Sequence, residues 1–180
     1  LEGKDKKEFL KGAEIAYETI LTAFASGDTK KFKGLLTATM SNNFKSAIDA
    51  RNKENMKSEF TFIGVKESSV EKYEKVKDDL FATVKFVAEV ISVKKDKNDK
   101  IIEGSPDKIK FVSDVWKFTK NIKNSSPNWY LAEIVSQWLR KKIFQKKTAK
   151  YGNLILKTQL TFTIKTCLLY TSDAADDLYR

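Results

Sequence analysis

The sequence contains no histidine, one cysteine, two prolines and seven scattered glycines among its 180 residues. Without histidine, Ser-His-Asp and Cys-His nucleophiles and histidine-based zinc sites are excluded. A single cysteine excludes a disulfide framework. The glycines form neither a phosphate loop nor a dinucleotide fingerprint. No run of about 18 apolar residues occurs, so no stretch reads as a membrane-spanning helix. What is present is 41% apolar and 32% charged. The first share argues against disorder and the second against a body embedded in lipid. A domain of this length removes about 70% of its unfolded surface from water, enough for a core.

The formal net charge of +10 is unevenly placed. Residues 1–135 hold 25 basic and 21 acidic residues, a net of +4. Residues 136–150 carry Arg140, Lys141, Lys142, Lys146, Lys147 and Lys150 and no acid, a net of +6. The basic character is thus a short tail, of a kind that meets phosphates in lipid or nucleic acid or is simply solvated. The stretch from Cys167 to Asp177 resembles a translated sequencing-adaptor read, and it is set aside as a fusion scar is. Three parts are expected: a domain over 1–135, a basic tail of doubtful authenticity over 136–166, and non-native read-through over 167–180. The start at Leu1 leads us to expect a processed or truncated chain whose upstream segment is missing.

Periodicity divides the domain in two. Phe9, Leu10, Ala13, Ala16, Tyr17, Ile20, Leu21 and Phe24 recur at helical spacing and predict one long amphipathic helix. Gly27 ends it and Asp28 caps the next. Phe32, Leu35 and Leu36 predict the inner face of a short second helix. Ser41 is the expected cap of a third, with Phe44, Ala47 and Ile48 inward. After Met56 the period falls to two. Phe60 and Phe62 share one strand face. Leu80, Ala82, Val84, Phe86, Ala88 and Val90 form an unbroken apolar row, opposite a mixed row from Phe81 to Val93. Asp96 to Lys100 predicts a hairpin loop, Gly104-Ser105-Pro106-Asp107 a turn, residues 109–119 a strand and residues 129–135 the last strand. Helices followed by strands predict an α+β domain, N-terminal helices on one face of a four-stranded antiparallel sheet.

Few residues carry chemistry. Asp96, Asn98 and Asp99 have the look of a calcium loop, but Lys100 stands where an oxygen ligand belongs, so a charged hairpin tip is expected. Asp78-Asp79 reads as a solvated turn. Asp114 shares a face with Val112, Trp116 and Phe118, where a carboxylate needs a partner, and a structural role is expected. Asn124-Ser125-Ser126 matches a glycosylation sequon by chance. The aromatics Phe24, Phe60, Phe62, Phe86, Trp116, Phe118 and Trp129 are expected to line a packed core or an apolar pocket, with Trp116 and Trp129 both interior. Lys4, Lys6, Lys7 and Lys11 lie within two turns of the apolar stripe, an arrangement suited to a membrane surface, although Asp5 and Glu8 interrupt it.

These pieces stand in a familiar order. FLKGAEIAYETILTAFASGD is followed by Glu59-Phe60-Thr61-Phe62-Ile63-Gly64-Val65, then by LFATVKFVAEVISV and a charged hairpin. Gly104-Ser105-Pro106-Asp107 follows, then Val112-Ser113-Asp114-Val115-Trp116-Lys117-Phe118 and Pro127-Asn128-Trp129-Tyr130-Leu131. The set resembles the Tim44-like domain, the C-terminal domain of a peripheral subunit of the mitochondrial presequence translocase, and its bacterial relatives. It covers residues 7–134, and D-V-W-x-F with P-N-W is its most specific part.

The resemblance implies a twisted sheet related to the nuclear-transport-factor-two-like cone, an apolar cavity, binding to anionic inner-membrane lipid, and an adaptor role without catalysis or cofactor. A membrane or translocase protein is the implied partner, and the implied location is the bacterial or mitochondrial inner membrane, peripheral or held by an upstream anchor. The chaperone-binding region of the mitochondrial protein lies outside this sequence, so the motor role is not carried over. The alternative is a ribosome- or RNA-associated protein of the same fold, contacting RNA phosphates through residues 140–150; DNA is not expected as a partner. An isomerase-type cone is a further alternative, disfavoured by the missing histidine and a lone Asp114.

Overall fold

The computed structural model describes residues 3–53 and 57–135. The expected basic tail and read-through lie outside the described residues. Three helices come first: α1 (Gly3–Ser26), α2 (Thr29–Phe32) and α3 (Ala38–Lys53). Five strands follow: β1 (Lys57–Val76), β2 (Asp79–Lys95), β3 (Ile101–Gly104), β4 (Lys110–Asn121) and β5 (Tyr130–Ile134).

The apolar stripe of α1 is turned inward, burying Phe9, Ala13, Tyr17, Ile20, Leu21, Ala23 and Phe24. Gly27, at φ +75°, stops the helix. Its N–H reaches the Phe24 carbonyl at 3.1 Å and that of Asp28 the Ala23 carbonyl at 2.9 Å, satisfying two carbonyls the helix leaves open. Asp28 caps α2 by accepting from the Lys30 N–H. Two local expectations are corrected. Thr37, not Ser41, caps α3, its Oγ1 accepting from the Met40 N–H at 3.4 Å, so Ser41 sits inside the helix. Leu35 and Leu36 lie beyond α2. There the chain runs parallel to β5, with the Leu131 N–H donating to the Leu35 carbonyl at 2.8 Å and the Thr37 N–H to that of Leu131 at 3.0 Å.

The sheet runs β1-β2-β4-β5, with β3 also on β2. All five strands pair antiparallel. β3 is a fifth strand that the sequence reading did not separate. It lies along the same edge of β2 as β4: Val93 faces Gly104 and Val90 faces Lys110. Residues 105–109 bulge out between the two partners. At Gly104, φ is +84° and an added Cβ would stand 2.0 Å from the Ser92 carbonyl oxygen. Only glycine lets the two backbones approach so closely.

β1 is longer than its two phenylalanines suggested. Its register against β2 shifts at Phe62/Gly64, Val65/Glu67 and Val70/Lys72. Each bulge breaks the alternation, which hides the strand from a period-two reading. From Ala82 the row of β2 falls as expected, with Ala82, Val84, Phe86, Ala88 and Val90 buried and the first four in the core beneath the helices, whereas Leu80 at its start is half-buried. Trp116 and Phe118 join that row from β4, opposite Val84 and Ala82. Trp129 lies just before β5 rather than in it. It is half-buried, its ring 4.9 Å from that of Phe9, so it borders the core instead of lying inside it.

Replacing Trp116 by Ala is expected to lower stability by about 3–5 kcal/mol, because a ring touched on several sides by others leaves a cavity that cannot close. Urea unfolding measures it, and a loss below about 1 kcal/mol would refute the packing. Gly104→Ala is expected to destabilise by about 2 kcal/mol or more through both strain and collision. Unchanged melting would show that β3 does not lie where described.

Candidate functional site

Two places stand out once the core is built. The first is a polar contact in the apolar centre. Asp114 is buried on β4 opposite Phe86. The Tyr17 hydroxyl donates to its Oδ2 at 2.6 Å. The Tyr17 ring lies stacked on Phe86 at 4.4 Å and tilted against Trp116 at 4.6 Å. A carboxylate taken out of water loses much hydration, and a phenol hydrogen bond returns part of it. The sequence placed Asp114 beside Trp116 but not beside Tyr17. The available signal was the lone polar tip on an otherwise apolar helix stripe, since a buried tyrosine hydroxyl seeks an acceptor.

This centre is built for packing. Phe86, Trp116 and Phe118 meet one another at ring distances of 6.0 to 6.4 Å, and Phe62 meets Tyr17 at 6.0 Å. Phe24 belongs to the far end of α1, where it meets Phe44 at 5.3 Å. Arg51 lies over the Phe24 ring at 5.2 Å and donates to the Phe24 carbonyl at 3.0 Å. Partial burial lowers the pKa of its guanidinium from the ordinary value. Phe60, Phe62 and Trp129 are partly buried against the core. The fold thus gathers the expected aromatics into one body, with Phe24 at its far end.

The second place is the basic start of α1. Lys4, Lys6, Lys7 and Lys11 are all exposed. Lys4 pairs with Glu8 at 3.8 Å, an exposed contact of little strength. The neighbouring stripe is not available to lipid, because Phe9 is buried and Leu10 half-buried against the core. The segment therefore offers charge and no insertion.

The acidic tip residues are engaged in the hairpin itself. Asp96 Oδ1 accepts from the Asn98 and Lys100 N–H groups at 2.8 and 3.0 Å. Asp99 pairs with Lys57 at 2.7 Å, which lowers the carboxyl pKa from its usual range and raises that of the lysine. Among the described residues, no group of three or more acidic or cysteine side chains is placed to hold a metal.

The family model of the Tim44-like domain matches residues 3–136, and the chain belongs to this family. No curated protein matches the chain. Among solved structures it is similar to the intermembrane space region of the chloroplast protein ARC6. That likeness has 10% identity and a TM-score of 0.47, over 71% of this chain and 97% of the other. Membership makes this a membrane-associated, translocation-related domain of a generally non-enzymatic class. Among the described residues no helix is long and apolar enough to cross a membrane.

Tyr17→Phe removes the phenol hydrogen bond to Asp114 at nearly constant volume. It is expected to lower stability by about 1–3 kcal/mol, since the acceptor is a buried carboxylate. Chemical denaturation checks this. A loss under about 0.5 kcal/mol would mean that the contact contributes nothing to seating the helix.

Proposed function

We propose that this domain is a non-enzymatic adaptor, associated with an inner membrane and tethering a protein partner there during protein translocation or membrane-protein assembly. The observation that carries the reading is the family membership, which spans the whole described domain. The site geometry supports it: among the described residues the one buried carboxylate, Asp114, is held by a tyrosine inside stacked rings, with no histidine in the chain to act as its base.

The proposed lipid contact begins at Lys4, Lys6, Lys7 and Lys11, which meet anionic headgroups. Each near-surface lysine contributes about 1 kcal/mol at low salt. Asp5 and Glu8 offset part of this, so the pull of the segment alone is small. The RNA-associated alternative rests on residues 140–150, outside the described residues.

The test is vesicle co-sedimentation of the full chain beside a variant with all four lysines changed to Gln. The expected result is binding by the parent to anionic vesicles, weakened by salt and weaker in the variant. Equal binding by both would remove the helix start from the contact.

A further inference from the structure

The exposed start of α1 does not stand alone, because the fold brings two other segments to the same end. α1 runs in the direction of β2. Tyr17 stacks on Phe86, and one stretch earlier Phe9 meets Phe118, which faces Ala82. Continuing back from Phe9 to Lys4 leads toward Leu80 and the beginning of β2. On that strand Leu80 is flanked in register by Lys75 of β1 and Lys120 of β4, on the face that α1 covers. Beyond them lie the β1–β2 turn, with Lys77, and the loop after β4, with Lys123. These two tips are joined: the Ile122 N–H donates to the Asp78 carbonyl at 2.8 Å and Lys123 pairs with the Asp78 carboxylate at 2.6 Å.

Residues 4–11, 75–79 and 120–123 together hold eight lysines and four acids, a net of +4, equal to that of the whole of residues 1–135. Two of the acids are held within this end, Asp78 by Lys123 and Asp79 by the Asn121 amide at 2.7 Å. The tips also supply what the first turns of α1 lack. Val76, the last residue of β1, is 53% exposed, and Ile122, in the adjoining loop after β4, is 44% exposed.

We infer that this end of the sheet, from the β1–β2 turn to the loop after β4, docks with the start of α1 on an anionic bilayer surface. Val76 and Ile122 enter the headgroup layer, and Lys75, Lys77, Lys120 and Lys123 add to the lysines of α1. The inference rests on the membrane-associated reading above and extends it to residues that sequence proximity does not connect. The composition selects a bilayer over other acidic partners. Protein interfaces favour arginine and aromatic rings and are poor in lysine. Single-stranded RNA is held by stacking on exposed rings. These three segments contain no arginine, and their one aromatic ring, Phe9, is buried. Lysines around aliphatic tips suit shallow insertion with electrostatic attraction.

The experiment measures binding of the full chain to phosphatidylcholine vesicles with and without phosphatidylglycerol, and to a single-stranded RNA, at low and high salt. One variant changes Lys75, Lys77, Lys120 and Lys123 to Gln; a second carries Val76→Ser and Ile122→Ser. All these positions lie outside the core cluster, and circular dichroism melting verifies the fold of each variant. Each variant is expected to bind anionic vesicles about tenfold more weakly or worse. The lysine effect should fade at high salt, and the aliphatic effect should persist. If both variants bind vesicles as the parent does, the sheet end is not the docking surface, while the membrane reading stands. If the parent binds no vesicle, both fall. Loss of RNA binding without loss of vesicle binding would likewise overturn the inference.

Discussion

The seating of α1 on the sheet is set by a buried directional contact, the hydrogen bond from Tyr17 to Asp114, seconded by the part-buried bond from Ser68 of β1 to Glu14. Apolar burial is non-directional and would let the helix slide or roll over the row of Phe86, Trp116 and Phe118. A carboxylate among those rings needs its donor at a defined place, and only one side chain of the α1 stripe carries a hydroxyl. With Tyr17 fixed over Phe86, Phe9 falls beside Phe118 and Trp129, and Phe24 reaches Phe44 on α3. The same constraint fixes the opposite side of the helix, so Lys4, Lys7 and Lys11 point to solvent.

This has a direct consequence for how the domain meets a membrane. A surface helix binds lipid by laying an apolar face into the headgroup layer. In α1 that face is already committed to the protein core, and the lysine-bearing first turns contribute only charge, with Ile15 the exposed aliphatic residue further along the helix. Aliphatic residues for insertion beside those first turns have to come from another element. The start of the sheet offers them next to further lysines, an arrangement produced by strand register alone: Lys75, Leu80 and Lys120 are neighbours because β1, β2 and β4 are paired there.

Much of this was legible in the sequence. The helical stripe from Phe9 to Phe24, the Gly27 stop, the Asp28 cap and the apolar row of β2 all follow from local spacing, and all are present. The family resemblance rested on the same pieces. What escaped the reading depends on contacts between distant segments. β1 was cut short because three bulges interrupt its alternation. β3, between the expected hairpin loop and the expected turn, is not separable in sequence, because four residues beside a bulge carry no periodicity of their own. Ser41 and Thr37 are both acceptable caps, and the bond between Thr37 and Leu131 decided where α3 begins. For the candidate site, the lysines of α1 were visible as a cluster, whereas Lys75, Lys77, Lys120 and Lys123 were scattered until the register assembled them. The partner of Asp114 lay 97 residues away.

If α1 is locked to the sheet through this contact, helix and sheet must open together. Native-state hydrogen exchange, followed amide by amide, measures this most directly. The account predicts one shared opening free energy for the amides around Tyr17 in α1, Phe86 in β2 and Trp116 in β4, equal to that of global unfolding. Exchange of the α1 amides through a lower-energy opening that leaves β2 and β4 protected would contradict it.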